Sequence, residues 1–348
     1  MLIKRKKTRL VKVGDVPVGG GYPVSIQSMV KVKTSEVEKV VKQIEDLKYS
    51  GCQIVRLAVK DLSDAIAIKK IKGRVRVPLV ADIHFNYKLA LMAVESGVDK
   101  IRLNPGNIYK RSEVKEVIGA LKSARLPLRI GINSGSVKSS NLSMPDRLVK
   151  SALSYIKMVE SFNFHDIVVS LKASSVMETI AAYRKISKLC DYPLHLGVTA
   201  TGSPYAGSIK SSIALGTLLL EGMGDTIRVS LTDKPVREVY AAKAILGSLG
   251  LRSFGPEIIS CPTCGRCEVD LIKLVSDFEE RISSLKLKPL KVALMGCVVN
   301  GPGEAREADL GVAFGKREGL IFKKGKALKK IPFSKCAGYL LREIEEKI

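Results

Sequence analysis

The chain has 348 residues, 46% of them hydrophobic, and 58 lysines and arginines against 34 aspartates and glutamates give it a formal charge of +24. That length exceeds one small domain, and that hydrophobic share excludes a disordered chain. No apolar run approaches the roughly 18 residues of a membrane helix, the basic start MLIKRKKTRLVKVGD lacks the apolar centre of a signal peptide, and the absence of tryptophan leaves few platforms for stacking bases. A cytoplasmic protein with reduced cysteines is expected, bound to neither membrane nor nucleic acid. The positive charge then points to an acidic protein partner or a phosphorylated ligand, or simply to solvated helix faces.

The segment 4–18 reads as a basic hairpin. From there to about residue 250, short β-rich runs alternate with amphipathic stretches. The strands are PVSIQSMV (23–30), IVRLAV (54–59), PLVADIH (78–84), KIRLNP (100–105), LRIGIN (128–133), DIVVSLKA (166–173), LHLGVTA (194–200) and DTIRVSL (225–231). The first helix shows its signals plainly. Ser35 and Glu38 form a candidate capping box, Val37, Val40, Val41, Ile44 and Leu47 make one apolar face, and Gly51 ends it. Eight such βα units in a row predict an α/β fold, an N-terminal (β/α)8 TIM barrel, with the hairpin capping its floor. A doubly wound sheet is discounted because the glycines 19–21 precede the first strand instead of following it.

After Leu251 the pattern changes. The linker RSFGPE (252–257) leads to CPTCGRC (261–267), a helix over about 268–285, and the strand KVALMGC, which ends at Cys297. The loop VNGPGE, the strand DLGVAFG, a hairpin around GLIFKKGKA and a last helix from about 334 follow. We therefore expect a barrel over 1–252 and a small α+β domain over 256–348.

In a barrel enzyme the chemistry sits where strands end. Those ends carry Arg56, Asp82, His84, Arg102, Asn104, Arg129, Asn133, Lys172, Arg228 and Ser230. Alternation puts Arg102 with Asn104, and Arg129 with Asn133, on one face. The five cations Arg56, Arg102, Arg129, Lys172 and Arg228 would repel one another at one mouth without an anion, and only Asp82 among the strand ends answers them. A polyanionic substrate, a diphosphate, is expected, with backbone N–H groups of GINSGS (131–136) adding to the site. His84 and His195 lie near strand ends, whereas His165 reads as structural. Cys52, Cys190 and Cys336 read as buried apolar fillers.

The remaining cysteines form a metal constellation. One reading is a structural zinc held by Cys261, Cys264, Cys267 and Cys297, in a barrel protein that binds nucleic acid or another polyanion. The other is an iron–sulfur cluster, which needs the same soft thiolates and tolerates one oxygen ligand. Glu304, across a Gly/Pro loop from Cys297, offers that oxygen.

The motifs CPTC (261–264), MGCVVNGPGEA (295–305), ADIHF (81–85), RLNPGN (102–107), RIGINSGS (129–136), VSLKAS (169–174) and EGMGDTIRVSL (221–231) run over nearly the whole chain. In that order they resemble the 4-hydroxy-3-methylbut-2-en-1-yl diphosphate synthase family of the non-mevalonate isoprenoid pathway. The resemblance implies a [4Fe–4S] cluster held by Cys261, Cys264, Cys297 and the catalytic Glu304. It also implies diphosphate binding by Arg56, Arg102, Asn104, Arg129, Asn133, Lys172 and Ser230. The implied reaction is reductive opening of 2-C-methyl-D-erythritol 2,4-cyclodiphosphate, with two electrons from ferredoxin or flavodoxin, in a homodimer whose cluster domains cap the partner barrels. The chain departs from the family pattern twice. Ala200, in LGVTATG, stands where the family carries a glutamate, leaving Glu221 or Asp225 to compensate, and Cys267 is a cysteine the family does not require.

Overall fold

The structure is a computed structural model that describes residues 3–283, 289–299, 303 and 305–346. It divides into two compact units, Met1–Arg252 and Ser253–Ile348.

The first unit opens with a hairpin, β1 (Val11–Val13) and β2 (Val16–Val18), turned at Gly14, whose φ of 58° suits glycine. Eight parallel strands follow. They are β3 (Ser25–Met29), β4 (Ile54–Val59), β5 (Leu79–Ile83), β6 (Lys100–Leu103), β7 (Leu128–Asn133), β8 (Ile167–Lys172), β9 (His195–Leu196) and β10 (Thr226–Ile227). Their spatial order is β8-β7-β6-β5-β4-β3-β10-β9, and a parallel bridge from Val169 to Leu194 joins the two ends. The sheet thus closes on itself as the alternation of elements predicts.

Between the strands run α1 (Val37–Tyr49), α2 (Leu62–Lys72), α3 (Tyr87–Glu95), α4 (Arg111–Ala124), α5 (Met144–Glu160), α6 (Val176–Leu189) and α7 (Pro204–Leu220). The helix α8 (Pro235–Ser248) follows the last strand. Each buries one stripe, as α1 does with Val40, Ile44 and Leu47. Burying such a side chain contributes about 1.5–3 kcal/mol, so these stripes hold the helices to the sheet. The expected capping box of α1 does not form. Glu36 is the N-cap and makes no side-chain cap bond, because the Ser35 N–H donates to Asp64 at 2.9 Å and Glu38 pairs with Arg74.

At the barrel floor, Val11, Val13 and Val18 of the hairpin pack against Ile54, Val80 and Val168, which stand near the starts of β4, β5 and β8. The hairpin is the apolar plug that keeps water out of the lumen from below.

The second unit is a five-stranded mixed sheet, in the order β11 (Glu257–Ser260), β12 (Lys291–Met295), β13 (Leu310–Phe314), β14 (Glu318–Lys323), β15 (Lys326–Pro332). The first three strands are parallel and the last two form an antiparallel hairpin. The helices α9 (Leu271–Ser283) and α10 (Phe333–Glu345) supply Phe278, Cys336 and Leu340 to a core with Val292, Val312 and Ile321. The strand β11 starts at Glu257, the last residue of the segment read from sequence as a linker, and fills the stretch between it and CPTCGRC. Cys52 and Cys336 are buried as expected, but Cys190 is only half-buried, because it sits at the C-terminus of α6 with its thiol 3.6 Å from the Ile186 carbonyl.

Candidate active site

The pairing register fixes which side chains enter the barrel. Arg56 pairs with Val80, Asp82 with Arg102, Arg102 with Arg129, Gly131 with Ser170, Asn133 with Lys172, and Thr226 with both His195 and Ser25. Side chains alternate along a strand, so these positions share the inner face. Most barrels fill that face with branched apolar side chains. Here only the floor does so, and the rows above it are polar.

Two glycines make room for long side chains. A Cβ at Gly131 would lie 2.6 Å from Arg102 Nε, and one at Gly197 would lie 2.6 Å from Lys172 Nζ. The glycine on one strand is the space that a cation from its neighbour fills.

The result is a small polar cavity lined by Arg56, Arg102, Arg129, Lys172 and Arg228 together with Asp82, Asn133 and Ser230. Asp82 answers Arg102 at 2.8 Å and Arg56 at 3.5 Å. Burial alone would push its carboxyl up, but Arg102, Arg56 and Arg129 outweigh burial and hold it at about 2. Arg228 is answered by Glu238 of α8 at 3.3 Å. Arg129 donates to Gln27 at 2.6 Å, a neutral partner. Lys172 Nζ lies 3.4 Å from His195 Nε2. Burial and then the neighbouring guanidiniums push Arg56 down to about 10, and hold Arg129 and Lys172 well below their usual ranges. Five cations thus face one cavity with two carboxylates among them, and the arrangement is built for a polyanion.

In the second unit, β11 and β12 run side by side and end together, Ser260 opposite Leu294. The next residues are therefore neighbours. Cys261 Sγ accepts the Gly296 N–H at 3.3 Å, Cys297 follows that glycine, and a Cβ on Gly296 would lie 2.4 Å from Cys267 Sγ. Cys264 is exposed on the turn after Thr263, whose φ is 61°. Among the described residues no three of His, Cys, Asp and Glu stand together as a coordination set. Glu304 lies outside the described residues.

Residues 8–243 match the model of the GcpE TIM-barrel domain and residues 257–346 that of the GcpE protein C-terminal domain. The 4-hydroxy-3-methylbut-2-en-1-yl diphosphate synthase (flavodoxin) of Clostridium perfringens is 54% identical over 99% of both chains. The chain belongs to the 4-hydroxy-3-methylbut-2-en-1-yl diphosphate synthase family. The relative of the same name from Caldanaerobacter subterraneus is 51% identical over 100% of this chain and 99% of its own. The chain is thus an oxidoreductase of isoprenoid biosynthesis. Among solved structures, dihydropteroate synthase from Stenotrophomonas maltophilia superposes with a TM-score of 0.52 over 66% of this chain and 95% of that one, at 14% identity. That likeness shows the barrel fold alone.

Six of the seven barrel residues read from sequence line the cavity: Arg56, Arg102, Arg129, Asn133, Lys172 and Ser230. Asn104 does not. Its Oδ1 accepts the Gly106 N–H at 3.1 Å and lies 3.2 Å from the Ser136 hydroxyl, tying the loop after β6 to the turn after β7. That turn is a short 3-10 helix, Ser134–Ser136, capped by Asn133. His84 packs edge-on to Phe85. Neither Glu221 nor Asp225 stands in for a carboxylate at Ala200. Glu221 bonds Arg184 at the end of α7, and Asp225 precedes β10 at the floor, where it accepts from Arg5, Thr8 and the Leu194 N–H. Sequence reasoning missed Gln27, Glu238 and the burial of His195. Ser25 and Gln27 alternate in a strand, a usable signal of a polar inner face, but nothing in α8 marked Glu238 as buried.

Proposed function

We propose that the chain converts 2-C-methyl-D-erythritol 2,4-cyclodiphosphate to (E)-4-hydroxy-3-methylbut-2-enyl diphosphate, taking two electrons from flavodoxin through a [4Fe–4S] cluster. The observation that carries this is the cavity itself, where Arg56, Arg102, Arg129, Lys172 and Arg228 outnumber the two carboxylates that answer them. A cyclic diphosphate supplies the missing negative charge. Family membership supports the choice among diphosphates.

The donor set suits the cofactor. Thiolates are soft ligands, and an N–H donated to Cys261 Sγ is what a cluster-bound sulfur attracts. Cys261, Cys264 and Cys297 would hold the cluster, with Glu304 as its oxygen ligand by family resemblance. When bound, it supplies the electrons and a Lewis-acidic iron.

The barrel residues do the rest. Arginine forks grip the phosphate oxygens, and Asn133 and Ser230 add neutral contacts. Because Asp82 and Glu238 already orient Arg102, Arg56 and Arg228, the guanidiniums are fixed before substrate arrives and need little reorganisation as charge moves onto the departing phosphate oxygen. The apolar floor excludes water from below.

The course of α8 supports a reading of the assembly. It starts after β10 at the cavity end and ends near Arg252, whose guanidinium donates to the Val24 carbonyl just before β3, at the floor. At 1.5 Å per residue its run is about 20 Å. The second unit starts there, so a homodimer in which each cluster domain serves the other subunit's barrel is the arrangement we favour.

Anaerobically purified protein should be brown, carry about four iron atoms per chain by the cluster assignment, and turn over the cyclodiphosphate with reduced flavodoxin. A colourless protein with one tightly held zinc and no turnover would refute the proposal.

A further inference from the structure

The proposed reaction consumes one proton as well as two electrons. The C2–O bond to phosphate breaks, a C2–C3 double bond forms, and the C3 hydroxyl leaves. The electron pair comes from the flavodoxin-class donor, the phosphate keeps the oxygen and its charge, and the departing hydroxide needs one proton to become water. This chain carries Ala200 where its family resemblance leads one to expect a carboxylate, and Ala200 has no group that could carry that proton.

The described cavity leaves few other sources. Arginine does not release protons at ordinary pH, and asparagine, serine and threonine are not acids there. Asp82 is already ionised between Arg102 and Arg56. Among the described lining residues this leaves one ammonium, Lys172.

Its setting is specific. Lys172 is the last residue of β8 and reaches into the lumen over Gly197, where no Cβ blocks it. Its surroundings are Arg56 of β4, Asp82 of β5, Arg102 of β6, Arg129 of β7 and Arg228 of β10. Neither nearby carboxylate is its partner, since Asp82 serves Arg102 and Arg56, and Glu238 serves Arg228 and Lys31. The partner is His195 Nε2 at 3.4 Å. His195 is wholly buried, with Nδ1 3.4 Å from Thr226 Oγ1 and its backbone carbonyl accepting the Tyr183 hydroxyl at 2.6 Å.

We propose that Lys172 donates the proton that turns the departing hydroxyl into water, and that His195 is the positioning residue that aims its ammonium at the cavity. This rests on the reaction proposed above. With Nδ1–H directed at Thr226, Nε2 carries the lone pair and accepts from Lys172. Burial, with Lys172 and Arg129 next, keeps the imidazole far below its usual pKa, so it stays neutral and able to accept. The same burial and the surrounding guanidiniums make the lysine a stronger acid than in water. After the step Lys172 is a neutral amine and is reprotonated when product leaves.

The test uses the reconstituted holoenzyme with saturating reduced flavodoxin, and reads kcat against pH. The basic limb of the wild-type profile reports the Lys172 ammonium. Removing the acceptor in His195→Leu disfavours the charged form, so that limb should move to lower pH by about one pH unit, and His195→Gln, which keeps an acceptor oxygen, should restore it. Lys172→Ala should lower kcat by about 10²–10⁴-fold, the usual worth of a positioned acid. Cyclodiphosphate affinity, measured by calorimetry on the oxidised enzyme, should fall less than kcat does, and added ethylamine should recover part of the rate. An unmoved pH profile in His195→Leu, or a Lys172→Ala chain whose loss is all in affinity with no rescue by amine, overturns the proton step alone. Wild-type holoenzyme that does not turn over the cyclodiphosphate overturns the underlying reaction and the proton step with it.

Discussion

Asp82 and Arg102 meet at 2.8 Å on neighbouring strands of a closed barrel, both almost wholly buried. Removing one partner of such a pair leaves the other's charge in a poor solvent, at a cost of about 3–5 kcal/mol. Here the cost falls on Arg56 and Arg129 as well, because the same carboxylate offsets both. Asp82→Asn should therefore lower stability in urea by about 3 kcal/mol without ligand. Pyrophosphate should return more stability to this variant than to the wild type, since it replaces the lost negative charge. Equal stabilisation of the two proteins would show that Asp82 does not balance the lumen.

The sign of the pH dependence follows from the same carboxyl. Its folded value of about 2 lies below the ordinary aspartate value of 3.8. The stability it contributes is thus complete above the unfolded value and is lost as pH falls from there through about 2. Between those limits the difference in unfolding free energy between wild type and Asp82→Asn should shrink steadily, as chemical denaturation at a series of pH values would show. A difference that stays constant across that window would mean the carboxyl is not held ionised by its neighbours.

Gly131 and Gly197 are equivalent in size but should fail differently when replaced by alanine. At Gly131 the new Cβ meets only the Arg102 side chain, at 2.6 Å, while at Gly197 it meets Lys172 Nζ at 2.6 Å and also the Arg228 carbonyl at 2.8 Å. A side chain can yield, but backbone in a closed sheet yields little. Gly131→Ala should lose affinity for the diphosphate together with part of the Asp82–Arg102 pairing, and less stability than Gly197→Ala. Gly197→Ala should lose about 1–3 kcal/mol of stability as well as activity. Thermal melts of the two variants side by side decide this.

The barrel was legible in the sequence because eight apolar strand runs, each followed by an amphipathic stretch, admit few other closures. The cavity was legible because arginines at alternate positions near strand ends share one face. Three things were not. Asn104 satisfies the alternation rule, yet its amide is held by Gly106 and Ser136, a loop contact that strand periodicity does not encode. Glu238 reaches Arg228 from a helix, and in sequence it looks like any acid in a first helical turn. Lys100 is fully buried on the inner face with its Nζ unpartnered among the described atoms, where a lysine in a strand would be read as solvent-facing. Each of these depends on which elements meet in space.

Cys267 separates the two readings of the cysteine constellation. Its thiol lies 3.2 Å from the Val269 carbonyl and packs against Gly296 and Leu271, on the side of the unit's apolar core. That contact turns the Cys267 side chain towards its own loop and the core. Cys267→Ser should therefore keep the iron content of wild type, while Cys261→Ser should lose it. Iron and sulfide assays on anaerobically purified variants read this directly, and loss of iron from Cys267→Ser would return that residue to the coordination shell.

The dimer proposed from the course of α8 can be tested without any structure of the assembly. Glu304→Ala and Arg129→Ala chains should each be inactive, because one lacks the oxygen ligand expected on the cluster and the other a guanidinium buried in the cavity. If each cluster domain serves its partner's barrel, a mixed dimer contains one composite site in which both damaged residues fall together and one in which both are intact. About half of randomly exchanged dimers are mixed, and each has one of its two sites working, so about a quarter of wild-type activity should return. If each chain instead used its own cluster, every site in the mixture would carry one lesion and no activity would return. Exchange must be verified independently, by differently tagged wild-type chains that co-purify after mixing. With that control in place, a silent mixture places the cluster and cavity of one site on the same chain.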